Sequence, residues 1–260
     1  MADKVDGGAT ARRRLPELVV IGAMKCATSA VHAYLDGHPE VRMSTPKELN
    51  FFNGPEVPPH DDATSWWRTG QWHRGVDWYA TQFDPDAVVA GEASPAYTSP
   101  SCPEVAPRMA AVLPDVRLVY LVRDPVDRAV SQYRHHRRDG TERRSMEAAI
   151  LDPASQYLDR SSYFARLEPF LRVFAPDQIR VVVQERLLRH RRRELDALYA
   201  HVGAAPWWDE ELHTPLHHVG TSAGRVDGPL RRQVEELLAA DRQRLEELIA
   251  DEIDEWNEGR

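Results

Sequence analysis

The 260-residue sequence has only two cysteines, Cys26 and Cys102. Two thiols cannot build a disulfide framework, so a reduced, cytoplasmic protein is the simple expectation. Long apolar runs are missing, and the mean hydropathy is -0.54, so no transmembrane helix is expected. The start of the chain is polar up to Arg12-Arg13-Arg14, with no apolar stretch of signal-peptide character behind it. A disordered tail over 1–14 and a single domain over 15–260 are therefore expected. Lysine is nearly as scarce: only Lys4, Lys25 and Lys47 occur, and arginine supplies the rest of the positive charge. The formal net charge of -8 argues against nucleic acid as a general partner, while leaving room for a local basic pocket. The histidines show no metal-ligand spacing, so no metal is expected.

What is present begins with Leu18-Val19-Val20-Ile21-Gly22-Ala23-Met24-Lys25-Cys26-Ala27-Thr28-Ser29-Ala30. Four apolar residues read as a buried strand. Ala30, Val31, Tyr34 and Leu35 follow at helical spacing, and Thr28 and Ser29 are good helix starters. A strand, a small-residue loop and a helix aim backbone N–H groups and a positive helix end at one spot, which is an anion site. Lys25 adds a full charge there. A Walker A loop fits poorly, because the lysine follows Gly22 by three residues and precedes the small residues instead of closing them.

Further along, Gly37 and Pro39 stop the first helix. Residues 53–87 are rich in Pro, Gly and aromatics and form an insertion with one short helix expected around Trp78 to Phe83. Strands are expected at Val88–Glu92, Val116–Val122 and Ile179–Val183. Helices are expected at 104–112, from Pro125, over 155–174, from the end of the last strand to about Val202, and from Leu230 to Ile249. Strands alternating with helices predict an α/β fold, a P-loop-like three-layer sandwich with a central parallel sheet flanked by helices.

A second motif is Arg123-Asp124-Pro125-Val126-Asp127-Arg128-Ala129-Val130-Ser131. Arg123 stands at the carboxyl end of the clearest strand, where parallel sheets bind ligands. Ser131 lies about two helical turns on. An arginine and a hydroxyl together suit a phosphate monoester.

As a pair, these motifs resemble the sulfotransferases that use 3′-phosphoadenosine 5′-phosphosulfate (PAPS), in particular the heparan-type and bacterial branch. Lys25, Cys26, Ala27, Thr28, Ser29 and Ala30 resemble the 5′-phosphosulfate loop. Arg123 and Ser131 resemble the 3′-phosphate contacts. Ser222-Ala223-Gly224-Arg225 resembles the late loop that closes over the nucleotide, which puts Gly224 and Arg225 among the cofactor contacts. Lys47-Glu48-Leu49-Asn50-Phe51-Phe52 resembles the segment whose glutamate acts as base, and Gly91-Glu92-Ala93-Ser94-Pro95-Ala96-Tyr97 the next substrate-side segment. Two positions depart from the pattern: Ala93 and Ala223 stand where the family often has lysine.

The resemblance implies sulfuryl transfer from PAPS, releasing adenosine 3′,5′-bisphosphate, to a hydroxyl or amine of a small-molecule, lipid or glycan acceptor, as in bacterial secondary metabolism. Lys25 stabilises the leaving group and Glu48 serves as base. Phe51, Phe52, Glu92, Tyr97 and His217 are expected near the acceptor, and Lys47 is left without a role. The acidic chain and its aromatic insertion fit a small or apolar acceptor better than a polyanion. A P-loop nucleoside kinase and a non-catalytic adenosine bisphosphate-binding module stand as alternatives.

Overall fold

The computed structural model describes residues 13–57, 70–213 and 228–257. The expected sites Gly224, Arg225 and His217 lie outside these residues, as do Trp66 and Trp67 of the insertion. The chain runs through β1 (Leu18–Gly22), α1 (Thr28–Asp36), β2 (Val41–Met43), α2 (Gly75–Ala80), β3 (Val89–Ala93), α3 (Val105–Val112), β4 (Arg117–Val122) and α4 (Pro125–Arg138). It continues through α5 (Met146–Ile150), α6 (Gln156–Asp159), α7 (Tyr163–Leu171), β5 (Ile179–Val183), α8 (Gln184–Arg189), α9 (Arg191–His201), α10 (Glu210–His213) and α11 (Pro229–Ile249).

The five strands form one sheet in the order β2-β3-β1-β4-β5. Every pairing is parallel, with Leu18 opposite Gly91 and Arg117, and Leu118 opposite Ile179. β1 is the middle strand and is buried along its whole length. That burial explains its unbroken Leu-Val-Val-Ile run, since a strand covered on both faces has no polar side. From β1 the chain fills one flank of the sheet with β2 and β3, then crosses to the other with β4. The order reverses between β1 and β4, and a crevice opens at their carboxyl ends. Close packing there needs Gly22. A Cβ at this position would come within 2.4 Å of Thr98 Oγ1 and 3.0 Å of the Tyr120 ring.

The parallel α/β fold is as expected from the sequence. β2 is not visible in the sequence pattern, because three residues at a sheet edge carry too little periodicity. The helix expected over 155–174 is two helices. Between them Ser161 Oγ donates to Pro125 O at 2.8 Å and accepts from Arg128 Nε at 2.6 Å. The break thus anchors the first turn of α4. The helix expected after β5 likewise divides at His190 into α8 and α9. Arg14, assigned to the tail, is tied down: its N–H donates to Ala80 O at 3.3 Å and its Nη2 to Val88 O at 2.8 Å.

The described part of the aromatic insertion covers the core. Trp72 and Trp78 pack against Phe51 at 5.2 and 6.1 Å between ring centroids, and Tyr79 stacks on Phe51 at 4.2 Å.

Candidate active site

The loop after β1 is shaped by two residues with positive φ, Lys25 (72°) and Ala27 (61°). Ala27 is the N-cap of α1, and no side chain caps that end. The first bond of the helix runs from Val31 N–H to Ala27 O, so the amides of Thr28, Ser29 and Ala30 have no acceptor within the helix. The Lys25 ammonium is half-buried and makes no hydrogen bond to a described residue. Burial first, then the Arg138 and Arg123 charges, holds its pKa below the ordinary 10.5.

Cys26 does not belong to the anion site through its side chain. Its thiol is fully buried 3.5 Å from Tyr163 Oη, and its N–H is already donated to Ala23 O. Burial pushes the thiol up to about 11, so it stays neutral.

Across the crevice, Asp124 caps α4 by accepting from Asp127 N–H at 2.9 Å, and Pro125 supplies the first helical φ. Arg231 of α11 donates to Asp124 Oδ2 at 2.9 Å and also holds Asp127. Glu185 takes the Asp124 N–H at 2.9 Å, and Tyr163 Oη donates to Arg123 O at 2.7 Å. The backbone at Arg123 is therefore pinned from three directions. Its guanidinium is left half-exposed with no hydrogen bond or ion pair to a described residue, and the half-buried Ser131 hydroxyl is likewise free of one. Behind them the fully buried Arg128 donates to Gln132 Oε1 at 2.8 Å, to Ser161 and to Tyr157 O. All three acceptors are neutral, so no carboxylate cancels its charge directly.

Lys47 is the residue that sequence reasoning left unassigned. Its Nζ lies 3.0 Å from Ser29 Oγ, 3.3 Å from Thr28 Oγ1 and 3.2 Å from Glu48 Oε1. Lys47 O accepts from Ala93 N–H at 3.3 Å, so the lysine stands beside the position where the family pattern has one. The scarcity of lysine was the only sequence signal for it. Glu48 keeps nearly half of its side chain exposed (46 %) while paired with Lys47. Thr28, Ser29, Lys47 and Glu48 thus meet at the loop after β1 that also carries Lys25, while Arg123 follows the end of β4 and Ser131 lies in α4.

Four expected acceptor residues do not line this crevice. Phe51 and Phe52 are fully buried in the aromatic cluster. Glu92 is fully buried and accepts from Tyr79 Oη at 2.6 Å, Tyr97 Oη at 2.7 Å and Ser94 Oγ at 2.8 Å. Tyr97 also accepts from Phe51 N–H at 2.9 Å. These groups satisfy one another, so they brace the strand ends under Glu48 and leave no valence for an acceptor. Among the described residues there is no cluster of acids, histidines or cysteines suited to a metal.

A family model described as Sulfotransferase family matches residues 16–210. Over 124 residues the chain is 33% identical to the membrane-associated sulfotransferase kil1 of Dictyostelium discoideum, covering 46% of this chain and 22% of that protein. Over 217 residues it is 27% identical to the bifunctional heparan sulfate N-deacetylase/N-sulfotransferase 2 of Bos taurus, covering 75% of this chain and 22% of that one. The chain thus spans under a quarter of the length of these relatives. A sulfotransferase from Alicyclobacillus acidocaldarius has a similar structure, with TM-score 0.75 and 27% identity over 94% of this chain and 99% of that one.

Proposed function

This chain belongs to the sulfotransferase family, and on that premise we propose that it transfers the sulfuryl group of PAPS to a hydroxyl or amine of a small-molecule, lipid or glycan acceptor. The observation that supports this reading is the meeting of two anion-binding sets in one crevice. The uncapped start of α1 with Lys25 is one; Arg123 with Ser131 is the other. Their chemistry fits a ligand carrying a charged group at each end of a nucleoside. PAPS supplies an activated sulfuryl group on its 5′-phosphate, and the nucleotide leaves as adenosine 3′,5′-bisphosphate.

In this reading the amides of Thr28, Ser29 and Ala30 hold the 5′-phosphate oxygens. Lys25 balances charge that grows on the leaving oxygen as the sulfur–oxygen bond breaks. Arg123 and Ser131 hold the 3′-phosphate. Glu48 takes the proton of the acceptor as its oxygen or nitrogen forms the new bond to sulfur. Lys47 orients that carboxylate and, through the Thr28 and Ser29 hydroxyls, ties it to the loop that carries the donor. Most of the work is positioning and charge stabilisation, as in phosphoryl transfer. A nucleoside kinase asks instead for an acid free to hold magnesium at the end of β4. Asp124, the acid there, is spent on capping α4 and pairing Arg231.

Single-turnover rates with ³⁵S-labelled PAPS and an acceptor-active extract fraction test the assignment of the base. Glu48→Gln should lose about 10²–10⁴-fold with unchanged affinity for the bisphosphate. Near-normal turnover in Glu48→Gln, with collapse in His217→Ala or His218→Ala, would move the base elsewhere.

A further inference from the structure

Tyr163 opens α7 and is fully buried. Asp241 of α11 fixes that first turn by accepting from Phe164 N–H at 3.0 Å and from Ala165 N–H at 2.9 Å. The Tyr163 ring packs against Tyr120 and Trp256, at 6.1 and 5.9 Å between centroids. Its hydroxyl donates to Arg123 O at 2.7 Å, accepts from Arg123 N–H at 3.2 Å and lies 3.5 Å from Cys26 Sγ. One side chain thus touches the residue after β4 that carries one anion-binding set and the loop after β1 that carries the other.

A hydroxyl has one hydrogen and two lone pairs. The Tyr163 hydrogen goes to Arg123 O, the shortest of the three contacts, and one lone pair takes the Arg123 N–H. The second lone pair is left for Cys26, so the thiol is the donor. Burial keeps both groups protonated, pushing the thiol up to about 11 and the phenol well above its ordinary 10. The other oxygen near Sγ, Met24 O, is further off at 3.9 Å. Glu185 and Arg231 hold Asp124 and Asp127 on the α4 side; Tyr163 is the one of the three whose hydroxyl also meets the loop after β1. Cys26 stands between the two positive-φ residues Lys25 and Ala27. Holding its side chain therefore fixes the turn that aims Lys25 and the amides at the start of α1.

We propose that Tyr163 is a positioning residue that sets the spacing between the two ends of the nucleotide site, with the Cys26 thiol donating to its hydroxyl. A fixed spacing lets a ligand charged at both ends engage both sets without losing binding energy to their alignment. The effect on nucleotide binding rests on the sulfotransferase reading above; the thiol–phenol bond does not.

The bond is read first without ligand, in Cys102→Ala, which leaves Cys26 as the one thiol. Its infrared S–H stretch should lie below that of a free thiol and should rise when Tyr163→Phe is added. A stretch that stays in place would show that the thiol points elsewhere and would overturn the link. Calorimetric titrations then compare adenosine 3′,5′-bisphosphate with adenosine 5′-monophosphate and adenosine 3′-monophosphate. Cys26→Ala keeps the Arg123 bonds to Tyr163 and cuts only the link. It should weaken the bisphosphate about twofold to fivefold, the scale of a weak hydrogen bond, and leave both monophosphates as in the wild type. Tyr163→Phe also frees the Arg123 backbone. It should weaken both nucleotides that carry a 3′-phosphate by about threefold to tenfold and spare the 5′-monophosphate. A merely structural role would lower all three affinities together, or lower thermal stability with no change in affinity, and either result would overturn the proposal. Cys26→Ala carries the test where Tyr163→Phe is too unstable to titrate. A wild type that binds the bisphosphate no better than the 5′-monophosphate would count against the donor assignment, and the thiol–phenol bond would still stand or fall by the S–H stretch.

Discussion

Lys47 Nζ stands 3.2 Å from Glu48 Oε1, and the same ammonium reaches Ser29 Oγ at 3.0 Å. The carboxylate proposed as base is therefore tied through one cation to the loop proposed to hold the donor. Lys47→Met breaks both links. Turnover should fall about 10–100-fold, the equivalent of one charged hydrogen bond, with a smaller change in bisphosphate affinity. Lys47→Arg should recover part of the rate. A variant that weakens binding and leaves the saturated rate untouched would make Lys47 a donor anchor only.

Lys25 is held below the ordinary lysine pKa by burial and by the like charges of Arg138 and Arg123. The protonated form is the one that stabilises the leaving group. The saturated rate should therefore decline on the alkaline side at a pH below 10.5. Arg138→Ala removes one like charge and should move that limb upward. Arg138 is exposed (73 %), so the shift should shrink as salt is raised. A limb that stays in place in Arg138→Ala at low salt would detach it from Lys25.

The fold was legible in the sequence where one face or both faces of an element are dictated by burial. β1 and β4 read as apolar runs because neighbouring strands and covering helices leave them almost no polar side, and β5, at the sheet edge, is marked by Val181-Val182-Val183 although it also carries Arg180. The site was legible in part. Lys25 and Arg123 follow strands whose ends define the crevice, so local sequence places them. Lys47 was not legible, because its partners Thr28 and Ser29 are nearly twenty positions away and meet it only through the β2 flank of the sheet. Phe51, Phe52, Glu92 and Tyr97 sit in motifs that surround the crevice, yet all four side chains are buried in the core, a direction that pattern alone does not give.

Glu92 is a structural group. Replacing it with alanine leaves the hydroxyls of Tyr79, Tyr97 and Ser94 without their acceptor, at about 1–3 kcal/mol for each group left unsatisfied. Glu92→Ala should lower the denaturant midpoint strongly, with any loss of rate following unfolding. Burial raises the Glu92 pKa above its usual 4.5, against the Tyr79, Tyr97 and Ser94 hydrogen bonds that lower it. The folded chain then binds this proton more tightly than the unfolded chain. Its contribution to stability is complete below the ordinary carboxylate range and is lost as pH rises through the folded value. The stability of the wild type relative to Glu92→Gln should thus decline with rising pH across that window. A difference that grows with pH would contradict the assignment.

The central claim is that the β1 loop and the end of β4 form one site for a nucleoside charged at both ends. Calorimetric titration of adenosine 3′,5′-bisphosphate beside adenosine 5′-monophosphate, on the wild type and on Arg123→Ala, tests it most directly. The wild type should prefer the bisphosphate by about 1.5–3 kcal/mol or more, and Arg123→Ala should lose most of that preference. Equal affinity of the wild type for the two nucleotides would contradict the account.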